Sequence, residues 1–260
     1  MAAGQRMQGG VHGSLTMKHI LPGLYPALKD ILFPATCLLC HERLGQAGSL
    51  LLCPTCTTQM PLIRPPLCTC CGKEFPDAAT GNHLCGSCLT KPPYFSCARA
   101  IFRYNKFTAP LIYSFKYQGR TTARNTFAAL RERVPSINDL TVPDVIIPVP
   151  LHKKRLRERG FNQALELARL FFPKNKNNIR ASALIRKRWT TPQTSLSGKN
   201  RRRNLAGAFQ IKDPRPIKAK NILLVDDVLT TGTTANECAK VLQQNGAADI
   251  EVLTLARVLA

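Results

Sequence analysis

The chain has 260 residues, enough for one or two domains, each able to bury a core of its own. Lys and Arg number 37 against 15 Asp and Glu, a formal net charge of +22 that is extreme for a soluble enzyme of this size. Such an excess asks for an anionic partner, whether a phosphorylated substrate, nucleic acid or a membrane surface, while the lack of any run of roughly 18 uninterrupted apolar residues excludes a membrane span.

From the start of the chain, residues before Met17 are Gly-rich and without periodicity. Ile20 to Phe33 is apolar but broken by Pro22, Pro26, Lys29 and Asp30. That pattern suits a short amphipathic helix leading into Pro34 better than a signal peptide, since no small-residue cleavage site follows a clean apolar core. Residues 1–33 are therefore expected to be a tail and short helix, and a cytoplasmic location follows from the missing export signal.

Ten of the eleven cysteines fall between Cys37 and Cys97, and eight of them form four C-x-x-C pairs: Cys37 and Cys40, Cys53 and Cys56, Cys68 and Cys71, Cys85 and Cys88. Two residues between sulfurs let one tight turn present both thiolates to a tetrahedral ion, as structural zinc requires. Pro54, Gly72 and Gly86 beside the pairs favour turns whose backbone N–H groups hydrogen-bond the thiolates. A disulfide framework would need an oxidising compartment, and the cysteine count is odd. Grouped in chain order, the first four cysteines make one site and the next four a second, for one or two zinc ions; cross-bracing is the alternative grouping. Cys70, Cys97 and Cys238 are spare, Cys70 being an alternative ligand and Cys238 a small buried residue of the last helix. His41 and His83 lie near the pairs, but eight cysteines already fill two sites. Residues 34–95 are thus expected to form a double zinc ribbon that draws its folding free energy mainly from metal. No coordination position is left open, so no catalysis is expected there.

Residues 96–260 read as a second unit in which strands alternate with helices. Ala98 to Tyr104 alternates as a strand, Phe107 to Tyr117 has apolar residues at helical spacing, and Ala123 to Val134 reads as another helix. Asp144 to Pro150 is a short buried strand ended by two prolines, and Phe161 to Phe172 is a helix with a broad apolar face. Asn221 to Val225 and Ile250 to Leu255 complete the strands. The alternation predicts a parallel sheet flanked by helices, with ligands at the carboxyl ends of its strands.

Two basic stretches accompany those strand ends. The turn Pro148-Val-Pro-Leu-His152 runs into Lys153, Lys154, Arg155, Arg157 and Arg159, and from Lys153 to Arg203 there are sixteen Lys and Arg against two acids, Glu158 and Glu166. Arg186 to Asn204 is polar, basic and aperiodic, a long irregular loop of the kind that is either functional or disordered.

The run Ile222-Leu-Leu-Val-Asp-Asp-Val-Leu-Thr-Thr-Gly-Thr-Thr234 is the most informative in the chain. Four apolar residues read as a buried strand, Asp226 and Asp227 sit at its end, and a Thr/Gly loop leads into a helix from Asn236 to Gln244. A helix start offers unpaired N–H groups and the positive end of a dipole, which suit a phosphate. The two acids cannot face that same phosphate, and are better placed to accept hydrogen bonds from sugar hydroxyls or to stay near a metal-bound substrate. Thr234-Ala-Asn-Glu237 also fits a plain capping box.

This run resembles the motif of type I phosphoribosyltransferases, which bind 5-phosphoribosyl-1-pyrophosphate (PRPP). The resemblance implies that Asp226 and Asp227 hold the ribose hydroxyls and that Thr230, Thr231, Gly232, Thr233 and Thr234 wrap the 5-phosphate. It further implies a pyrophosphate-binding loop at Pro150, Leu151, His152 and Lys153, magnesium bound with PRPP, and a mobile lid in the Arg186–Asn204 stretch. Pro148-Val-Pro-Leu-His152, Arg155-Leu-Arg-Glu-Arg-Gly-Phe-Asn-Gln163, Thr191-Pro-Gln193, Arg202-Arg-Asn204 and the PRPP run, after a cysteine-rich head, together resemble the ComF family. That resemblance covers Ile31 to the C-terminus. It implies a double zinc ribbon fused to a phosphoribosyltransferase-like α/β domain, linked to natural competence and DNA utilisation. Three functions stay open: transfer of phosphoribose to an unidentified acceptor, binding of single-stranded DNA with Trp189, Phe161 and Tyr117 for stacking, or PRPP sensing without turnover. Competence-machinery proteins are the further partners it suggests.

Overall fold

The computed structural model describes residues 35–45, 51–77, 81–117, 121–189 and 205–259. The tail and short helix expected over 1–33, and residues 190–204 of the basic loop, lie outside these. Four strands form one sheet: β1 (Cys97–Arg103), β2 (Val145–Pro148), β5 (Asn221–Leu229) and β6 (Asp249–Arg257), in the order β1-β6-β5-β2 with every neighbour parallel. The expected fold class is therefore the observed one. Short strands β3 (Leu184–Arg186) and β4 (Phe209–Ile211) pair antiparallel beside it and bracket the basic loop. Among the described residues no helix is long and apolar enough to cross a membrane.

The sheet is buried on both faces, and β5 shows how. Leu223 and Val225 pack with Leu167, Ala168 and Phe171 of helix α6 (Gln163–Phe171), while Ile222 and Leu224 pack with Cys238, Ala239 and Leu242 of helix α7 (Thr233–Gln244). A two-residue side-chain period on a strand covered from both sides needs apolar residues throughout. Helices on opposite faces then leave a crevice at the carboxyl ends of β5 and β2. Helices α3 (Ala109–Tyr117) and α4 (Thr121–Arg131) precede β2, with Leu111, Phe115 and Phe127 in the same core as α6.

Two expectations need correction. Strand β5 does not stop at Val225 but runs through both acids to Leu229, because β6 stays paired with it as far as Arg257. Helix α7 begins at Thr233, three residues earlier than expected, with Gly232 as its N-cap at φ 72°; the Thr234 capping box is not formed. Helix α5 (Lys153–Arg159) carries the basic run that follows the Pro148–His152 turn and is ended by Gly160 at φ 78°.

The cysteine-rich segment holds short helices α1 (Pro54–Thr58) and α2 (Gly86–Thr90). Its chain between the two sites runs antiparallel along the free edge of β1: Ile63 N–H donates to Ile101 O at 3.0 Å and Arg103 N–H to Pro61 O at 2.8 Å. Glu74 fixes the contact by accepting from Arg103 at 2.6 and 2.9 Å. The segment also buries more apolar surface than expected, since Leu52, Met60 and three of its cysteines belong to the core that contains Ile101, Phe102 and Leu253.

Candidate functional site

The crevice holds a cavity of about 540 Å³ lined by Asp226, Asp227, Thr230, Gly232, Thr233 and Thr234 on one side and by Pro150 and Leu151 on the other. Adjacent residues on a strand face opposite ways, so the acids meet different neighbours. Asp227, on the α6 side, pairs with Lys116 Nζ at 2.8 Å. Asp226 accepts the backbone N–H of Asp227 at 2.9 Å and lies towards Cys238 and Arg186. Burial, together with the charge of Asp227, raises the Asp226 carboxyl to about 7, against the pull of that hydrogen bond, Lys116 and Arg186.

The first turn of α7 lines this cavity with Thr233, Thr234 and Ala235, and no side chain caps its N-terminus. Gly232 supplies the left-handed turn, which L side chains reach only with strain. The five loop residues do not all share one wall. Thr231 is exposed, donates or accepts with Thr233 Oγ1 at 2.7 Å, and faces a second cavity of about 590 Å³ behind the loop. That cavity is closed on its far side by Cys71, Cys85 and Cys88 and carries Lys73, Lys91, Lys240 and Arg257.

Of the expected pyrophosphate loop, Pro150 and Leu151 line the first cavity, whereas His152 and Lys153 do not. His152 is the N-cap of α5: its Nδ1 accepts the N–H of Lys154 at 3.2 Å, and its ring meets Trp189 edge-on at 5.2 Å. One and two helical turns further on, Arg155 and Arg159 line the cavity instead. Reasoning from sequence passed over Lys116 and Arg186 as site residues. Lys116 lies in a helix remote in sequence, with no spacing to mark it. Arg186 is one cation among many, and only the structure shows it 9% exposed, its pKa lowered by burial and by Arg155.

The cysteines gather as two successive groups, Cys37, Cys40, Cys53 and Cys56, then Cys68, Cys71, Cys85 and Cys88, with all sulfurs of a group within 4.8 Å of one another. A tetrahedral ion with Zn–S bonds of about 2.3 Å spaces its sulfurs by about 3.8 Å. The pairs Cys40–Cys53 at 3.6 Å and Cys71–Cys85 at 3.8 Å match that spacing, so both groups fit zinc. Backbone N–H groups of Cys71 and Cys85 reach Cys68 Sγ at 3.4 and 3.3 Å. Burial resists ionising that thiol, yet these bonds bring it down to about 6. Cys70 stays out of the second site, its Sγ directed to Phe95 O at 3.6 Å. Arg257, at the end of β6, donates to Cys71 O at 2.6 Å and approaches Cys71 Sγ at 3.4 Å, tying the second site to the sheet.

These features define a class: a parallel α/β sheet preceded by two four-cysteine groups that fit zinc. Residues 28–89 match the model of the double zinc ribbon domain. Competence protein F of Haemophilus influenzae is 36% identical over 235 residues, covering 86% of this chain and 98% of the relative. DNA utilization protein YhgH of Escherichia coli K12 is 33% identical over 231 residues, 87% of this chain and 98% of its own. Competence protein ComFC of Bacillus subtilis is 28% identical over 242 residues, 85% and 94% of the two chains. A solved structure of the allosteric regulatory enzyme of purine biosynthesis matches 55% of this chain and 30% of its own at 17% identity and a TM-score of 0.33. The chain belongs to the ComF family.

Proposed function

We propose that this protein binds PRPP with magnesium and transfers its phosphoribosyl group to an acceptor, in the cytoplasm and in the service of DNA uptake and utilisation. In this reading residues 34–95 are the zinc unit and 96–260 the unit that carries the reaction. The observation that carries it is the placing of two acids and a helix N-terminus without a side-chain cap on one cavity. Backbone N–H groups at Thr233 and Thr234 would hold the 5-phosphate, and Asp226 and Asp227 would accept from the ribose 2- and 3-hydroxyls. The acceptor forms its bond to C1 as the C1–O bond breaks; the bonding electron pair leaves with pyrophosphate and the acceptor's proton passes to solvent. Positive charge develops at C1 along the way, which the two carboxylates stabilise. Magnesium, bound with PRPP, would supply charge neutralisation for the departing pyrophosphate. Arg155 and Arg159 are the cations on the cavity wall nearest the Pro150 turn, and suit the departing anion.

Hydrogen bonds to a charged group are worth about 1.5–3 kcal/mol. Asp227→Asn should therefore weaken PRPP binding about ten-fold or more in calorimetry, and unchanged affinity would remove the assignment. Pyrophosphate release over a panel of acceptors separates transfer from PRPP sensing.

One observation favours a second reading, single-stranded DNA binding. Trp189 is 38% exposed with Lys154 Nζ 4.9 Å and Arg155 Cζ 5.6 Å from its ring centre, an aromatic surface among cations. Affinity for an oligonucleotide should fall steeply with salt, and a flat response would rule this reading out.

A further inference from the structure

Lys116 is a cation on the wall of the PRPP cavity that no sequence motif marks, and its partner is one of the two acids assigned to the ribose. Its Nζ lies 2.8 Å from Asp227 Oδ2, both side chains mostly shielded from solvent. A ribose diol that donates to Asp227 needs the same oxygens. Lys116 therefore either shares Asp227 with the ligand or gives it up. The rest of its setting favours the second. Its carbonyl accepts from Gln163 Nε2 at 3.3 Å, and Gln163 Oε1 accepts from Arg159 Nη1 at 3.0 Å. Gln163 is 2% exposed, so it is a fixed link between the Lys116 backbone and the Arg159 head. Lys116 and Arg159 thus both line the cavity and are joined through Gln163, so one anionic ligand in it faces both cations. A diphosphate carries more charge than one carboxylate, and the Lys side chain is a flexible four-carbon stem with a point charge at its tip.

We propose that Lys116 is an exchangeable counter-ion and a diphosphate-binding residue: the ribose hydroxyls take over Asp227, and the released ammonium moves to the diphosphate end of the same ligand. The inference rests on the phosphoribosyl reading of the site. It makes binding a swap of partners in which no carboxylate is left bare. Selectivity follows, because a ligand with the diol but no diphosphate must displace Lys116 without offering it a new partner.

The test is calorimetry with magnesium and three probes, PRPP, ribose 5-phosphate and pyrophosphate, on the wild type, Lys116→Met and Lys116→Arg. Lys116→Met should lose about ten-fold or more in affinity for PRPP and for pyrophosphate. Ribose 5-phosphate should bind as well as to the wild type or better, since Asp227 is then unopposed. Lys116→Arg should restore part of the PRPP affinity. Asp227→Asn combined with Lys116→Met leaves no unpaired carboxylate to disturb folding, and its pyrophosphate affinity should still be weak. Undiminished pyrophosphate affinity in both Met variants overturns the inference, as does an equal loss for all three probes, which would make Lys116 a mere support for Asp227. A wild type that binds PRPP while Lys116→Met binds it equally well removes this inference alone. A wild type that binds none of the three removes the phosphoribosyl reading and this inference with it.

Discussion

At the scale of single residues, Asp226 gives the site a built-in pH dependence. The groups around it are Asp227, which repels its ionised form, and Lys116 and Arg186, which favour it; burial outweighs the two cations. Its folded pKa of about 7 lies above the ordinary value of an unfolded Asp, about 3.9. Below about pH 4 it is protonated folded or unfolded, and its contribution to stability is fully present; as pH rises through 7, the folded form is held to a proton the unfolded chain has shed, and that contribution is lost. Urea unfolding midpoints should therefore fall between about pH 4 and about pH 7, and Asp226→Asn should flatten the fall. PRPP should bind with release of a proton below about pH 7, because hydroxyl donors favour the carboxylate. Calorimetry in buffers of different ionisation enthalpy reads that proton directly, and none released would refute the role given to Asp226. The acid pair was legible in sequence because strand, acids and loop are contiguous. Lys116 and Arg186 were not, since their approach to Asp227 or Asp226 depends on folding across forty residues or more in sequence.

Among elements, the long periodic ones were legible and the short ones were not. Helices α3 and α6 and strands β1 and β6 fell close to their expected bounds because many residues report one period. The end of β5 was misplaced because its last residues include two acids, which read as loop until β6 is seen paired beside them. Strands β3 and β4 have three residues each, too few to carry a period. The turn into α7 makes a sharper test. Gly232 has φ 72°, and a Cβ there would meet nothing within 4 Å, so Gly232→Ala should cost only the conformational penalty of about 1–2 kcal/mol. Its thermal midpoint should drop, and PRPP affinity with it if the loop relaxes. Gly72 behaves differently: its φ is 68° and a Cβ would overlap the carbonyl oxygen of Ala98 on β1. Gly72→Ala should push the second ribbon off the sheet edge and destabilise more than Gly232→Ala; equal effects in a thermal melt would contradict this.

Across the whole molecule, the two zinc sites were legible from spacing alone, because each C-x-x-C turn is local. How they join the sheet was not, because the joints are long-range. Cys37, Cys53 and Cys56 share a core with Ile101, Phe102 and Leu255, while the second site meets the sheet through Arg257, 186 residues from Cys71. The two metals should therefore do different work. Cys40→Ser, at the exposed corner of the first site, should release one zinc and loosen the main core, so its chief effect is a lower thermal midpoint. Cys88→Ser should release the other zinc and free Cys71 from its fixed place under Arg257. Arg257 is paired across the sheet with Leu229, the residue from which the Thr230–Thr233 loop springs, and Cys88 lines the cavity on the far side of that loop. Loss of the second metal thus removes a wall from the phosphate loop as well as from the ribbon. Cys88→Ser should weaken PRPP binding by more than Cys40→Ser at a temperature where both remain folded, with zinc counted by metal analysis in each. Equal PRPP affinity in the two variants would mean that the second ribbon supports the sheet but not the loop.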